Sequence, residues 1–197
     1  GVLANGRGES RLAFERYSDA LQMAREVGHR DGEATYLGNL AEVRNELGDY
    51  AKAEEDLRQA IHLTEVASHW NLSFYYRCLA EACVGQGKLE EALSTGRTAL
   101  SLGQAAGDQE LIIAAWRVLG VVAARLNSAI TVEVDGQETE HTATTLFTES
   151  LRIATETEMT GERARTLKAW ALYELQNGER EPGEAKWHEA RELFASL

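Results

Sequence analysis

Residues able to do acid–base, metal or nucleophilic chemistry are all present in this sequence, and their spacing argues against such use. The five histidines, His29, His62, His69, His141 and His188, never pair at i,i+3 or i,i+4, the separations that put two imidazoles on one helix face. His62 and Glu65 do share a helix face, but two ligands of common type make a weak site. No metal is expected. Carboxylates gather at Glu54-Glu55-Asp56 and Glu90-Glu91. Both groups fall near expected helix starts, where they favour the helix dipole without doing acid–base work. Gly-Arg-Gly-Glu-Ser (6–10) has the glycines of a phosphate loop but neither the Walker spacing nor its lysine. Serine, cysteine and histidine show no local nucleophile signature. Cys78 and Cys83 lie five apart on one expected helix and point to different sides of it, so they cannot bridge without distorting the backbone. They are read as structural thiols in a reducing cytoplasm. Neither a catalytic residue nor a cofactor is expected, and the chain is not read as an enzyme.

Charge narrows the partners. The net charge is −12, from 32 acidic and 20 basic residues, which disfavours general nucleic-acid binding and anionic membrane surfaces. The most apolar stretch, Leu111 to Leu126, carries Arg117 and Arg125 and is too short to span a bilayer. Its reading is a mostly buried helix. A single proline, Pro182, in 197 residues favours an all-helical fold.

The elements that organise these residues come from internal repetition. A pattern of small residue, bulky residue, small residue at helical spacing recurs as Ala13-Tyr17-Ala20, Ala53-Leu57-Ala60, Ala92-Gly96-Ala99, Ala143-Phe147-Ser150 and Gly183-Trp187-Ala190. The third carries glycine in the bulky slot. A second pattern reads Leu40-Ala41, Leu79-Ala80, Leu119-Gly120 and Trp170-Ala171, each followed after seven residues by a turn former: Gly48, Gly87, Asn127 and Gly178. Gly1 and Gly8 fit the same two slots at the front. Both patterns step together by 39, 40 or 51 residues. Apolar residues at helical spacing on both sides of each turn define a helical hairpin. One hairpin cannot bury its own apolar face and must stack on its neighbours. Trp116, Trp170, Trp187, Tyr76 and Phe147 fall on inward positions, and Trp70 falls at a hairpin junction.

Leu37, Leu40, Ala41, Gly48, Ala53, Leu57 and Ala60, with the turn Leu-Gly-Asp-Tyr (47–50), resemble the tetratricopeptide repeat signature. The period near 40 residues and the connection Ala-Arg-Glu-Val-Gly-His-Arg-Asp (24–31) are similar to kinesin-light-chain-type arrays and to the C-terminal arrays of bacterial multidomain signalling proteins. The proline usual at repeat ends is missing, and the first-helix Tyr/Ala slot holds Arg44, Cys83, Ala123 and Glu174. The resemblance implies an all-α, right-handed superhelical solenoid of antiparallel helix hairpins over 1–197. Its repeats would be a partial one at 1–28, then about 32–68, 71–107, 111–158 with an insertion, and 161–197. Gly1 would then fall inside a first helix, which reads as a fragment of a longer protein. A full-length coding sequence beginning at Gly1 would end that reading.

The 51-residue step carries eleven extra residues around 128–141. There Ile130-Thr131-Val132-Glu133-Val134 alternates, Asp135-Gly136 is a turn signal and Gln137 to Glu140 returns, which predicts a β-hairpin standing out from the solenoid. Its exposed strand edge is one reading of a partner contact; a tolerated surface insertion is the other.

The resemblance also implies a binding face, because first helices of such hairpins line a concave groove. Its positions carry over to Thr35, Gly38, Glu42, Asn45 and Glu46; to Phe74, Arg77, Glu81 and Val84; to Ala114, Arg117, Val121, Ala124 and Arg125; and to Arg165, Lys168, Leu172 and Leu175. One slot reads Gly38, Arg77, Arg117, Lys168, a ladder of cations that Arg125 and Arg165 extend. These residues, with Phe74, Glu42 and Glu81, are the candidate ligand-binding set, suited to an acidic segment of a protein or peptide. Alternatively, Glu81 and acidic residues of neighbouring helices neutralise the cations. The family's grip on a terminal carboxylate through Lys and Asn is not expected, because Glu42 and Glu81 occupy the Asn slots. The function expected is a protein-interaction scaffold. The alternative is an intramolecular regulatory segment of a bacterial signalling ATPase or cyclase.

Overall fold

The computed structural model describes residues 2–67, 71–134 and 136–197, with side chains described outside 2–9 and 65–67. Gly1, His69, Trp70, Asp135 and the Glu65 side chain therefore lie outside the described residues. Among the described residues the chain forms α1 (Val2–Glu26), α2 (Arg30–Leu47), α3 (Tyr50–Ala67), α4 (Leu72–Gly85), α5 (Leu89–Ala106), α6 (Gln109–Leu126), β1 (Ile130–Val134), β2 (Gln137–His141), α7 (Ala143–Glu156), α8 (Thr160–Gln176) and α9 (Arg180–Ala195). The fold is all-α, built of antiparallel helix hairpins, with one two-stranded antiparallel sheet.

Turn chemistry fixes the hairpins. Every turn former read from the sequence between hairpin arms, Gly48, Gly87, Asn127 and Gly178, has positive φ, the left-handed conformation that terminates a helix. Asn127 is tolerated there because its short polar side chain lowers the left-handed penalty. Glu158, at φ 57, serves the same purpose between α7 and α8 without a glycine. At the helix starts, His29 Nδ1 accepts from Gly32 N–H at 2.9 Å, Asp108 from Leu111 and Thr142 from Thr145, satisfying amides that lack intrahelical partners.

The turn anticipated at Gly8 is absent: α1 runs unbroken from Val2 to Glu26. A mid-helix glycine costs only about 1 kcal/mol relative to alanine. It does not reverse the chain unless two arms pack across it.

Two compact units divide the chain, residues 1–95 and 96–197. In the first, α1 packs on α2, α2 on α3 and α4, and α3 on α4. Leu37, Leu40, Ala41, Ala53, Leu57, Ala60 and Tyr75 are essentially inaccessible there, each large one contributing roughly 1.5–3 kcal/mol by burial. Tyr75, rather than the anticipated Tyr76, is the inward ring; Tyr76 is half-buried. The Tyr75 ring occupies the space a Cβ on Gly38 would need, with Cε1 2.2 Å from that position.

In the second unit α6 packs on α7 and α8, α7 on α8, and α8 on α9. Ile113, Leu119, Leu146, Phe147 and Leu167 form its core, with Trp116 almost fully buried. Trp170 and Trp187 are half-buried, and Trp170 stacks on Phe147 at 6.0 Å. Where α6, α7 and α8 cross, buried Ser150 donates to the Ile113 carbonyl at 2.9 Å and bonds the Thr166 hydroxyl at 2.9 Å.

The β-hairpin forms where the alternation placed it, but it lies back on the helices instead of standing out. Ile130 and Val132 are 4% and 1% exposed, and the His141 ring meets Trp116 edge-on at 5.4 Å. Alternation gave β1 one apolar face, and burial claimed it.

Candidate functional site

The cation slot resolves into two ion-pair clusters, one in each unit. In the first unit Arg77, on α4, is 8% exposed. Its Nη2 donates to Glu42 Oε1 on α2 at 2.8 Å, and its Nη1 to Glu81 Oε2 at 3.1 Å. The guanidinium carbon lies 4.8 Å from the Phe74 ring centre, a cation–π contact. Burial opposes the charge, yet Glu81 and Glu42 push the Arg77 pKa well above its ordinary value. Beside this cluster Asn45 Nδ2 donates to the Cys78 carbonyl at 2.8 Å. Glu42, Asn45, Phe74, Arg77 and Glu81 thus join first helices α2 and α4.

In the second unit Arg117, on α6, is 9% exposed and pairs with Glu162, 6% exposed, on α8. Arg165 binds the other Glu162 oxygen. Burial raises the Glu162 pKa, but Arg117 and Arg165 outweigh it and hold the carboxyl below its usual value. No local signal in the sequence marked Glu162, because 45 residues separate it from Arg117.

The remaining candidates are open. Arg125 on α6 and Lys168 on α8 are exposed, with no ion-pair partner among the described residues. Arg165, Lys168, Leu172 and Leu175 recur at three- and four-residue steps on α8 and are all exposed. Leu172 is 43% and Leu175 38% exposed, so the stripe joins two cations to two uncovered leucines.

The acidic cluster of α3 has a different use from the one its position implied. The first turn of α3 holds no acidic residue. Glu54 instead binds Lys88 Nζ at 2.6 Å, Arg58 at 2.9 Å and Gln86 at 2.6 Å, while Arg58 also reaches Glu91. The hydrogen bond from Lys88, opposed by burial and supported by Arg58 and Gln86, holds the Glu54 carboxyl at about 2. Glu90 and Glu91 do sit in the first turn of α5. Cys78 and Cys83 are buried and not disulfide-bonded, and burial first, then nearby carboxylates, push the Cys83 thiol up to about 12. Among the described residues no group of three His, Cys, Asp or Glu could hold a metal, and no helix is long and apolar enough to cross a membrane.

These hairpins and their left-handed turns make a helical-repeat fold like that of tetratricopeptide proteins. A tetratricopeptide repeat family model matches residues 1–65. No curated protein matches the sequence. Among solved structures, the apo form of RapI superposes with a TM-score of 0.77 at 19% identity, covering 96% of this chain and 64% of that one. BtubC (BKLC) from P. vanneervenii gives 0.64 at 16% identity, with 95% of this chain and 74% of that one covered. A kinesin light chain with nearly identical repeats from Podosopora anserina gives 0.57 at 16%, covering 96% and 89%. The resemblance to tetratricopeptide repeats is thus a sequence match at the front and a likeness of fold along nearly the whole chain. The chain spans 64% of RapI's length.

Proposed function

We propose that the chain is a protein-interaction scaffold that takes an acidic segment of a partner protein on the first-helix face of its second unit. The observation that carries this reading is the exposed α8 stripe Arg165-Lys168-Leu172-Leu175, with Arg125 exposed on neighbouring α6. Carboxylates of the partner would meet Lys168 and Arg125, which have no ion-pair partner among the described residues, and its apolar side chains would cover the two leucines. Arg117 enters as a wall of the proposed face, since Glu162 already occupies its guanidinium group; in the first unit Glu42 and Glu81 occupy that of Arg77 in the same way. A helical-repeat fold of this kind is consistent with a scaffold that holds a protein partner.

Reversing Lys168→Glu and Arg125→Glu tests the face without breaking an ion pair. Captured acidic peptides are expected to lose at least tenfold in affinity by fluorescence anisotropy, with thermal stability unchanged. Equal affinity in the variant rejects the face.

A further inference from the structure

The cleft between α5 and the hairpin is separate from the first-helix face. We infer that the outer edge of β1 and the facing side of α5 form a docking groove for an extended, basic segment of a partner protein, which adds to β1 as a third strand.

Register carries the first part. Val134 faces Gln137, Val132 faces Thr139 and Ile130 faces His141, across a two-residue connection at 135–136. In so tight a hairpin the closing pair exchanges both main-chain hydrogen bonds, and every second pair repeats this. The amides and carbonyls of Val132 and Ile130 therefore face β2, and those of Thr131 and Glu133 face the opposite edge. Arg97 confirms the direction: its Nε donates to the Thr131 carbonyl at 2.7 Å from α5. The sheet has only two strands among the described residues, and no third strand among them pairs with that edge.

Space is the second part. A cavity of about 680 Å³ lies between the edge and α5, lined by Arg97, Ser101 and Gln104 on one side and Thr131 and Glu133 on the other. A strand needs about 4.8 Å of lateral spacing from its neighbour, and exposed Arg97 is the side chain that would swing aside to admit it.

Charge names the occupant. Glu133 stands directly opposite Glu138, and Glu140 opposite Thr131, on the same outward face. None of the three carboxylates has an ion-pair partner among the described residues, and like charges placed opposite one another destabilise a hairpin. Basic side chains on an added strand relieve that repulsion. Natural sheets guard open edges with charged side chains, proline or bulges; β1, Ile-Thr-Val-Glu-Val, has neither proline nor lysine, and its one charge is the carboxylate of Glu133. Pairing of two copies through this edge would bring further carboxylates together, so a basic partner fits better than a second copy.

The probe is a fluorescein-labelled peptide of alternating lysine and valine, compared with a version N-methylated on alternate amides. Wild-type protein is expected to bind the parent peptide, and to bind the methylated one at least tenfold more weakly. Thr131→Pro removes an outward amide where an edge strand tolerates proline and should cost the same factor while the helical circular dichroism is retained. Glu133→Gln with Glu138→Gln should weaken binding and flatten its salt dependence. Absence of binding by wild-type protein, equal binding of the methylated peptide, or unchanged binding by Thr131→Pro overturns the inference. Self-association that Thr131→Pro abolishes, seen by sedimentation, overturns it in favour of a second copy. Arg125 and Lys168 are untouched by these variants, so the outcome is independent of the acidic-segment face.

Discussion

Arg117 on α6 and Glu162 on α8 form an ion pair whose side chains are only 10% and 7% exposed. Removing one partner from such a pair strands the other charge in a poorly solvated site, at a cost of roughly 3–5 kcal/mol. Glu162→Ala is expected to lose stability on that scale in urea denaturation. The double variant Arg117→Met/Glu162→Ala should recover much of the loss, because no buried charge is left alone. A double variant as unstable as the single one would show that the pair contributes through packing rather than charge.

Acid should weaken the fold through depressed carboxyls. Glu54 is held at about 2 and Glu162 below its ordinary value, so unfolded chains bind protons more readily at both positions. Their contribution is fully present above pH ~4.5 and declines as pH falls toward 2. Urea midpoints measured between pH 6 and pH 2.5 are expected to fall, and Glu54→Gln should shrink the fall. An unchanged slope in that variant excludes Glu54 from the effect.

Thiol reactivity should report unfolding. Cys78 and Cys83 are fully buried, and the Cys83 thiol is pushed up to about 12, which leaves almost no thiolate near neutral pH. A disulfide-exchange reagent at pH 8 is expected to label neither in native protein and both in urea. Rapid labelling of native Cys83 contradicts its placement.

Close helix approach should make one glycine irreplaceable and another neutral. A Cβ on Gly38 meets the Tyr75 ring at 2.2 Å, whereas one on Gly161 meets Arg165 at 3.5 Å and Leu197 at 3.8 Å, ordinary van der Waals contacts. Gly38→Ala is expected to lower stability by about 1–3 kcal/mol through overpacking. Gly161→Ala should be neutral or gain up to about 1 kcal/mol from helix propensity. Calorimetry of the two variants checks the contrast.

Local chemistry made much of the fold legible. Gly48, Gly87, Asn127 and Gly178 take the left-handed conformation their positions implied. Ile130-Thr131-Val132-Glu133-Val134 became a strand because alternation and a two-residue turn are short-range signals. Gly8 misled for a related reason: a glycine permits a turn without requiring one, and only packed arms decide.

Sequence alone determined the hairpin period, the turn positions and the slots from which Arg77, Arg117 and Lys168 project, because each depends on neighbours a few residues away. Tertiary structure decided which of those charges stay open. Glu42 reaches Arg77 from another helix and Glu162 reaches Arg117 across the inserted hairpin, while Arg125 and Lys168 meet no carboxylate among the described residues. Ion pairing depends on distances between helices far apart in the chain, which no local spacing encodes.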